Sequence, residues 1–142
     1  MASGQIKSKK RVKERGEVFT NPREVKAMCD LIPNNVWSNI ESTFLEPTCG
    51  NGNFLVEIYE RKLRHCKNEK DGLKALNSIV AIDIMADNVQ ESRARLREMY
   101  VQRYPNASEF ALLFLDSILK NNIICGDSLE IMKKWELKGE SE

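Results

Sequence analysis

Apolar and polar residues alternate along the chain in two ways, which predict two kinds of element. Short apolar runs at residues 43–45, 78–83 and 122–125 have the length of buried strands. Elsewhere apolar residues recur every three or four positions, which predicts helices at residues 22–33, 53–63, 71–77, 87–104, 108–120 and 129–135. Strands that alternate with helices indicate an α/β fold with a parallel sheet and right-handed crossovers.

Two of the predicted helices carry further expectations about their surfaces. The helix at residues 108–120 is apolar most of the way round, so we predict that it is buried on two sides. The helix at residues 87–104 carries arginines that are interspersed with Glu91 and Glu98, which favours a solvated face over a nucleic-acid stripe. These arginines are Arg93, Arg95, Arg97 and Arg103.

A glycine-bearing turn follows the first predicted strand, in the segment FLEPTCGNGNFL at residues 44–55. Gly50 and Gly52 permit positive φ and have no Cβ, so backbone N–H groups can approach a ligand where the next helix begins. The second strand ends in Asp83, a position from which acids bind ribose hydroxyls in doubly wound folds. The alternatives are an ordinary strand-to-helix turn and an aspartate that caps a helix.

Four segments resemble motifs of the S-adenosylmethionine-dependent DNA methyltransferases that act on adenine N6. Residues 46–54 resemble motif I, and residues 16–22 are similar to motif X, with one residue inserted before its proline. Residues 82–84 resemble motif II, and residues 125–128 resemble motif III. Motif IV, the catalytic Asn/Asp-Pro-Pro-aromatic loop, appears nowhere, because the Asn-Pro pair at residues 21–22 belongs to motif X.

The resemblance implies a partial Rossmann-like class I methyltransferase fold. In that fold strands one to three form half of a parallel sheet in the order three, two, one, and strand four lies beside strand one. The chain has no candidate for strand four, so we expect a half sheet with flanking helices. The expected divisions are a flexible basic arm at residues 1–15, a partial S-adenosylmethionine-binding domain at residues 16–135 and a charged tail at residues 136–142.

The same resemblance implies how S-adenosylmethionine is held. Motif I, which includes Gly52 and Phe54, holds the methionine part through the backbone of Thr48, Cys49 and Gly50. Glu46 lies near the ligand ammonium, and Phe19 and Thr20 close over the methionine part. Asp83 accepts hydrogen bonds from the ribose, and Ile84 packs on the adenine. Asp127 accepts from the adenine amine, and Ser128 faces the ring. Asp127 also has a helix-capping alternative. No catalytic residue and no metal ligand is assigned.

Composition adds expectations about location and partners. The chain is 42% hydrophobic and 30% charged, and it has neither a membrane-spanning apolar run nor a secretory signal, so we expect a cytoplasmic protein. Its four cysteines form no CxxC pair, which argues against zinc and disulfides. The first 15 residues carry a basic cluster with Glu14 as the single acid. That cluster consists of Lys7, Lys9, Lys10, Arg11, Lys13 and Arg15. It either contacts DNA phosphates or serves as a solubilising tail.

The leading interpretation is the S-adenosylmethionine-binding portion of a DNA adenine-N6 methyltransferase of the restriction-modification type. It would methylate DNA only when a missing catalytic half completes it, so we expect the chain alone to be inactive. The expected partners are DNA and, in addition, the missing half, a partner subunit or a second copy of the chain. We expect no contact with a membrane. The alternatives are a non-catalytic module that senses the cofactor or binds DNA, and a degenerate remnant.

Overall fold

The computed structural model describes residues 5–15 and 17–141, and for residues 13–15, 140 and 141 it describes the backbone alone. Parts of the predicted arm, motif X and tail therefore lie outside the described residues, namely residues 1–4, Gly16 and Glu142. In chain order the elements are α1 (Lys9–Arg15), α2 (Pro22–Cys29), α3 (Asn34–Ser38), β1 (Phe44–Glu46), α4 (Asn53–Leu63), α5 (Glu69–Asn77), β2 (Ile79–Asp83), α6 (Ala86–Arg103), α7 (Glu109–Asn122), β3 (Ile123–Cys125) and α8 (Ser128–Ser141).

The three strands form one parallel sheet in the order β1-β2-β3. Phe44 of β1 lies beside Ile79 of β2, and Ala81 of β2 lies beside Ile123 of β3. The predicted α/β class, the parallel direction and the strand order are confirmed. This arrangement is compatible with one half of a Rossmann-like sheet. Among the described residues β1 pairs with β2 alone, so its other edge is open.

The core lies on one face of this sheet. Ile79, Ala81 and Ile123 are fully buried there against α4 and α6, which contribute Leu55 and Leu96 to the same cluster. Apolar positions that predicted these two helices thus face the core. On the opposite face Ile82 is fully buried, whereas Leu45 is 46% exposed and Val80 and Ile124 are partly covered. Leu45, Val80 and Trp135 of α8 line a common cavity there. The described chain therefore covers this second face of the sheet incompletely.

Helix ends follow local capping chemistry. The Asn21 side chain accepts from Arg23 N at 2.9 Å and Pro22 opens α2, as is typical of helix starts. α2 ends at Cys29 and not near Pro33 as predicted, because Leu31 N and Ile32 N donate to the carbonyls three residues back, of Met28 and Cys29, and close the helix in a tight turn. α8 continues through residue 141, beyond the predicted 129–135. Whether residues 1–15 and 136–142 are separate units stays a prediction.

α7 corrects one expectation. Its residues Ala111, Leu115 and Leu119 are buried, but Phe110, Leu113 and Phe114 are 76%, 67% and 62% exposed. The prediction of burial on two sides is therefore wrong for the described chain. The physical reason is that α7 packs on the sheet and on α5 and α6 from one side, and nothing described covers its outer side.

No helix in the described ranges combines the length and apolarity needed to cross a bilayer.

Candidate functional site

Strands β1 and β2 end side by side, and each ends in a carboxylate. Glu46 is the last residue of β1, and Asp83 is the last residue of β2. Parallel strands bring their carboxyl ends to one edge, where open α/β folds bind ligands. A cavity of about 260 Å3 lies at this edge. The predicted site residues that line it are Phe19, Thr20, Glu46, Thr48, Cys49, Gly50, Phe54, Asp83 and Ile84.

The turn between β1 and α4 takes the backbone that its glycines permit. Gly50 has φ 54° and Gly52 has φ 94°, both in the left-handed region. Cys49 N donates to Ile82 O at 2.9 Å, which ties the turn to the end of β2. Gly52 does not line the cavity. A Cβ on Gly52 would lie 2.9 Å from Ser92 Oγ and 3.3 Å from Ser92 Cα, so this glycine permits the close approach of α6.

Asp83 is the most constrained acid of the site. It is 5% exposed, and its Oδ2 accepts from Asn88 Nδ2 at 2.7 Å and from Met85 N at 3.4 Å. Its Oδ1 accepts nothing from the described residues, so it remains available to a ligand donor. A helix-capping role does not explain Asp83, because Met85 holds the N-cap position of α6. A buried carboxylate with a free oxygen suits the hydroxyl groups of a sugar.

The lining of the cavity is acidic. Glu17, Glu46 and Asp83 all line it, and no lysine or arginine of the described chain does. Burial raises the pKa of the Glu46 carboxyl, while a hydrogen bond from Thr48 N lowers it. A carboxylate that loses water in this way is stabilised by a cationic partner. The charge of the cavity therefore favours a ligand with a positive group.

Residues 17–20 lie over the glycine turn. Phe19 is 6% exposed, and its ring is so close to Gly50 that a Cβ there would lie 2.9 Å from Phe19 Cδ1. Thr20 O accepts from Asn53 Nδ2 at 2.8 Å, at the start of α4. The two residues expected to close over the methionine part thus sit directly above motif I. That they contact a ligand stays a prediction.

A second cavity of about 190 Å3 adjoins the first and shares Thr48, Asp83 and Ile84 with it. Asp127 and Ser128 line this second cavity, so the three strand ends contribute to one crevice. Asp127 also has the capping role, because its Oδ1 accepts from Glu130 N at 3.1 Å in the first turn of α8. Ile84 is 43% exposed, which leaves an apolar side chain open to a flat ligand group.

One cysteine, Cys49, lines the cavity. Cys49 is buried, and burial raises the pKa of its thiol to about 12, so it is a neutral packing group at pH 7. All four cysteines are free. Within residues 5–15 and 17–141 no group of three or more His, Cys, Asp or Glu side chains is arranged to hold a metal.

Sequence reasoning missed several residues of the site. Glu17 lines the cavity beside motif X, and Asn88 holds Asp83 from the first turn of α6. Arg95 Nη1 donates to Asn51 O and to Asn53 Oδ1, both at 2.9 Å, so it supports the glycine turn and is not part of a solvated face. The sequence carried a signal for Asn88 alone, because an amide side chain in the first turn of the helix that follows Asp83 is within reach of that carboxylate.

No family model matches the chain, and no solved structure matches it. A stretch of 88 residues, 61% of the chain, is 33% identical to the Type II methyltransferase M.VspI of Vibrio sp. (strain 343). That stretch corresponds to 18% of the relative, so the chain spans about a fifth of its length. The similarity supports a relationship to a methyltransferase.

Proposed function

We propose that this chain binds S-adenosylmethionine and is the cofactor-binding portion of a DNA adenine-N6 methyltransferase of the restriction-modification type. The observation that carries the proposal is Asp83, a buried carboxylate with a free oxygen at the junction of two cavities. A ligand that spans both cavities would place a diol at this point. The order of the four motifs and the similarity to M.VspI support the same ligand.

The charge of the site also supports this ligand. S-adenosylmethionine carries a sulfonium and an ammonium against one carboxylate, so its net charge is positive. Glu46 would face the ammonium, and the backbone N–H groups of the turn would face the ligand carboxylate. When bound, the sulfonium supplies the methyl group that such enzymes transfer. Asp83 would hold the ribose, while Ile84 and Asp127 would bind the adenine.

The proposal includes a second polypeptide part that contains motif IV. The open edge of β1 has unpaired N–H and C=O groups, which favour the addition of a strand. The partly covered sheet face with Leu45, 46% exposed, and Trp135, 42% exposed, would add apolar area to that contact. The occupant would be the missing catalytic half, a partner subunit or a second copy.

DNA contact through the N-terminal arm is a weaker part of the proposal. Lys9 and Lys10 are exposed and can reach phosphates, but Lys7 and Arg11 pair with acids of the same chain. The side chains of Lys13 and Arg15 lie outside the described residues. Phosphate binding by the arm would therefore rely on fewer charges than the sequence contains.

Calorimetric titration with S-adenosylmethionine and S-adenosylhomocysteine tests the proposal. We expect saturable binding of the wild type and a loss of about 1.5–3 kcal/mol in Asp83→Ala, the range for hydrogen bonds to a charged group. Asp116→Ala is the matched control, because Asp116 is an exposed acid paired with Arg97. If the wild type takes up neither ligand, the proposed function is wrong. If Asp83→Ala binds like Asp116→Ala, the assignment of Asp83 is wrong.

A further inference from the structure

Asn88 connects two carboxylates of the site. It is fully buried, and its Nδ2 donates to Asp83 Oδ2 and to Glu17 Oε2, each at 2.7 Å. The amide nitrogen has two hydrogens, so both bonds can form together. If the amide were flipped, its oxygen would face two carboxylates, which have no hydrogen to donate. The two contacts therefore determine which end of the amide faces the acids. Asn88 therefore limits the movement of Asp83 and at the same time links it to Glu17.

Glu17 is in turn held by the N-terminal arm. Arg11 Nη2 donates to Glu17 Oε2 at 2.8 Å, and Arg11 Nη1 donates to Asp87 Oδ2 at 2.6 Å. Lys7 Nζ adds a contact of 3.1 Å to the same Asp87 oxygen. Hydrogen bonds from Arg11 and then Lys7 hold the pKa of the Asp87 carboxyl well below its usual range. These charge-assisted contacts dock the arm against the first turn of α6.

The arm also touches the other side of the cavity. Phe19 N donates to Gln5 O at 2.7 Å, and Lys7 Nζ lies 5.8 Å from the centre of the Phe19 ring. Phe19 covers Gly50 in the glycine turn. The docked arm is therefore in contact with both the segment above the turn and the acids beside Asp83.

We propose that Asn88 and Glu17 are positioning residues that hold the Asp83 carboxylate toward the ligand, and that Arg11 stabilises this arrangement by docking the N-terminal arm. Arg11 does not line either cavity, so it acts through Glu17 and Asn88. The effect must be reciprocal. If docking of the arm strengthens ligand binding, bound ligand must also strengthen docking of the arm. This inference rests on the proposed function, because the ligand is S-adenosylmethionine.

The test compares Arg11→Met with Lys10→Met in titrations with S-adenosylhomocysteine. Both variants remove one charge from α1, but Lys10 is exposed and makes no polar contact within the described chain. We expect Arg11→Met to bind about tenfold more weakly and Lys10→Met to bind like the wild type. Hydrogen exchange provides the reciprocal readout. Saturating ligand should slow exchange of the Val12 and Phe19 amides in the wild type and not in Arg11→Met.

Asn88→Leu is the second variant in the test. We expect it to weaken binding by at least about tenfold in the wild-type background and to have no further effect in an Asp83→Ala background. Equal losses in both backgrounds would mean that Asn88 acts through general stability, which overturns the positioning role. Arg11→Met that binds like Lys10→Met overturns the role of the arm. Failure of the wild type to bind overturns the proposed function instead, so the two failures are distinct.

Discussion

Lys62 offers a test of the fold that needs no ligand. It is fully buried in α4, and its Nζ donates to Ile40 O at 2.9 Å and to Ser42 O at 2.6 Å. The same ammonium lies 4.9 Å from the centre of the Phe44 ring. The side chain thereby attaches the loop before β1 to the helix after the glycine turn. We consider Lys62→Met, which keeps an unbranched side chain one atom shorter and removes the hydrogen-bond donors.

The size of the effect follows from opposing contributions. Two hydrogen bonds from a charged group are lost, at about 1.5–3 kcal/mol each, together with a cation–π contact of about 0.5–2 kcal/mol. Ile40 O keeps a donor in Ser78 Oγ at 3.2 Å, so Ser42 O is the carbonyl left without one. Removing a desolvated charge returns at most about 3 kcal/mol. The difference between these contributions is a net loss of about 0.5–5 kcal/mol at pH 7.

The loss should grow with pH. Burial lowers the pKa of Lys62 from 10.5 to about 8 in the folded chain. Between these values the unfolded chain holds more protons than the folded one, so the wild-type free energy of unfolding rises with pH across that window. Lys62→Met lacks this contribution. The difference between the two proteins should therefore increase from pH 8 to pH 10.

Urea unfolding followed by tryptophan fluorescence measures both quantities. Trp37 is a suitable probe, because it is buried and stacked on Phe44 with ring centres 5.1 Å apart. Lys74→Met, at an exposed position of α5, is the control and should remain within about 0.5 kcal/mol of the wild type. A Lys62→Met variant as stable as the wild type, or a difference that does not vary with pH, would refute the reasoning.

Three further predictions concern the turn, the chemistry and the assembly. Gly52→Ala should lower the free energy of unfolding by about 2–3 kcal/mol, because a Cβ at φ 94° is strained and meets Ser92. The control is Gly139→Ala, whose Cβ would meet nothing within 4 Å, and it should be neutral or slightly stabilising. Equal effects of the two variants in urea unfolding would contradict this account. The isolated chain should transfer no tritiated methyl group to mixed-sequence DNA, because it lacks motif IV; clear incorporation would show that another loop provides that chemistry. The open edge of β1 and the partly covered sheet face should make the chain associate with itself or with a partner. If the occupant is a second copy, light scattering of the chain alone at low micromolar concentration should show a mass above that of the monomer. A soluble monomer that also fails to bind a separately added polypeptide containing motif IV would show that the edge needs no partner.

The amino-acid sequence by itself determined the parts of this protein that depend on local interactions. α4 begins and ends at residues 53 and 63 as the apolar period predicts, because Gly52 permits the turn before it and the inward residues are spaced by one helical turn. β2 ends at Asp83, as its apolar run predicts. Alternation of strand and helix then restricts the sheet to parallel pairing, which brings the acids at two strand ends to one edge.

Tertiary structure alone decided the contacts that bring distant segments together. Glu17 meets Asn88 across 71 positions, and Arg11 meets Asp87 across 76. Nothing in the local pattern specifies such pairs, because side-chain propensities act over a few residues while these contacts depend on how α1 and α6 dock. The same reason explains why α7 exposes Phe110 and Phe114: composition shows that a surface is apolar, and only packing determines what covers it.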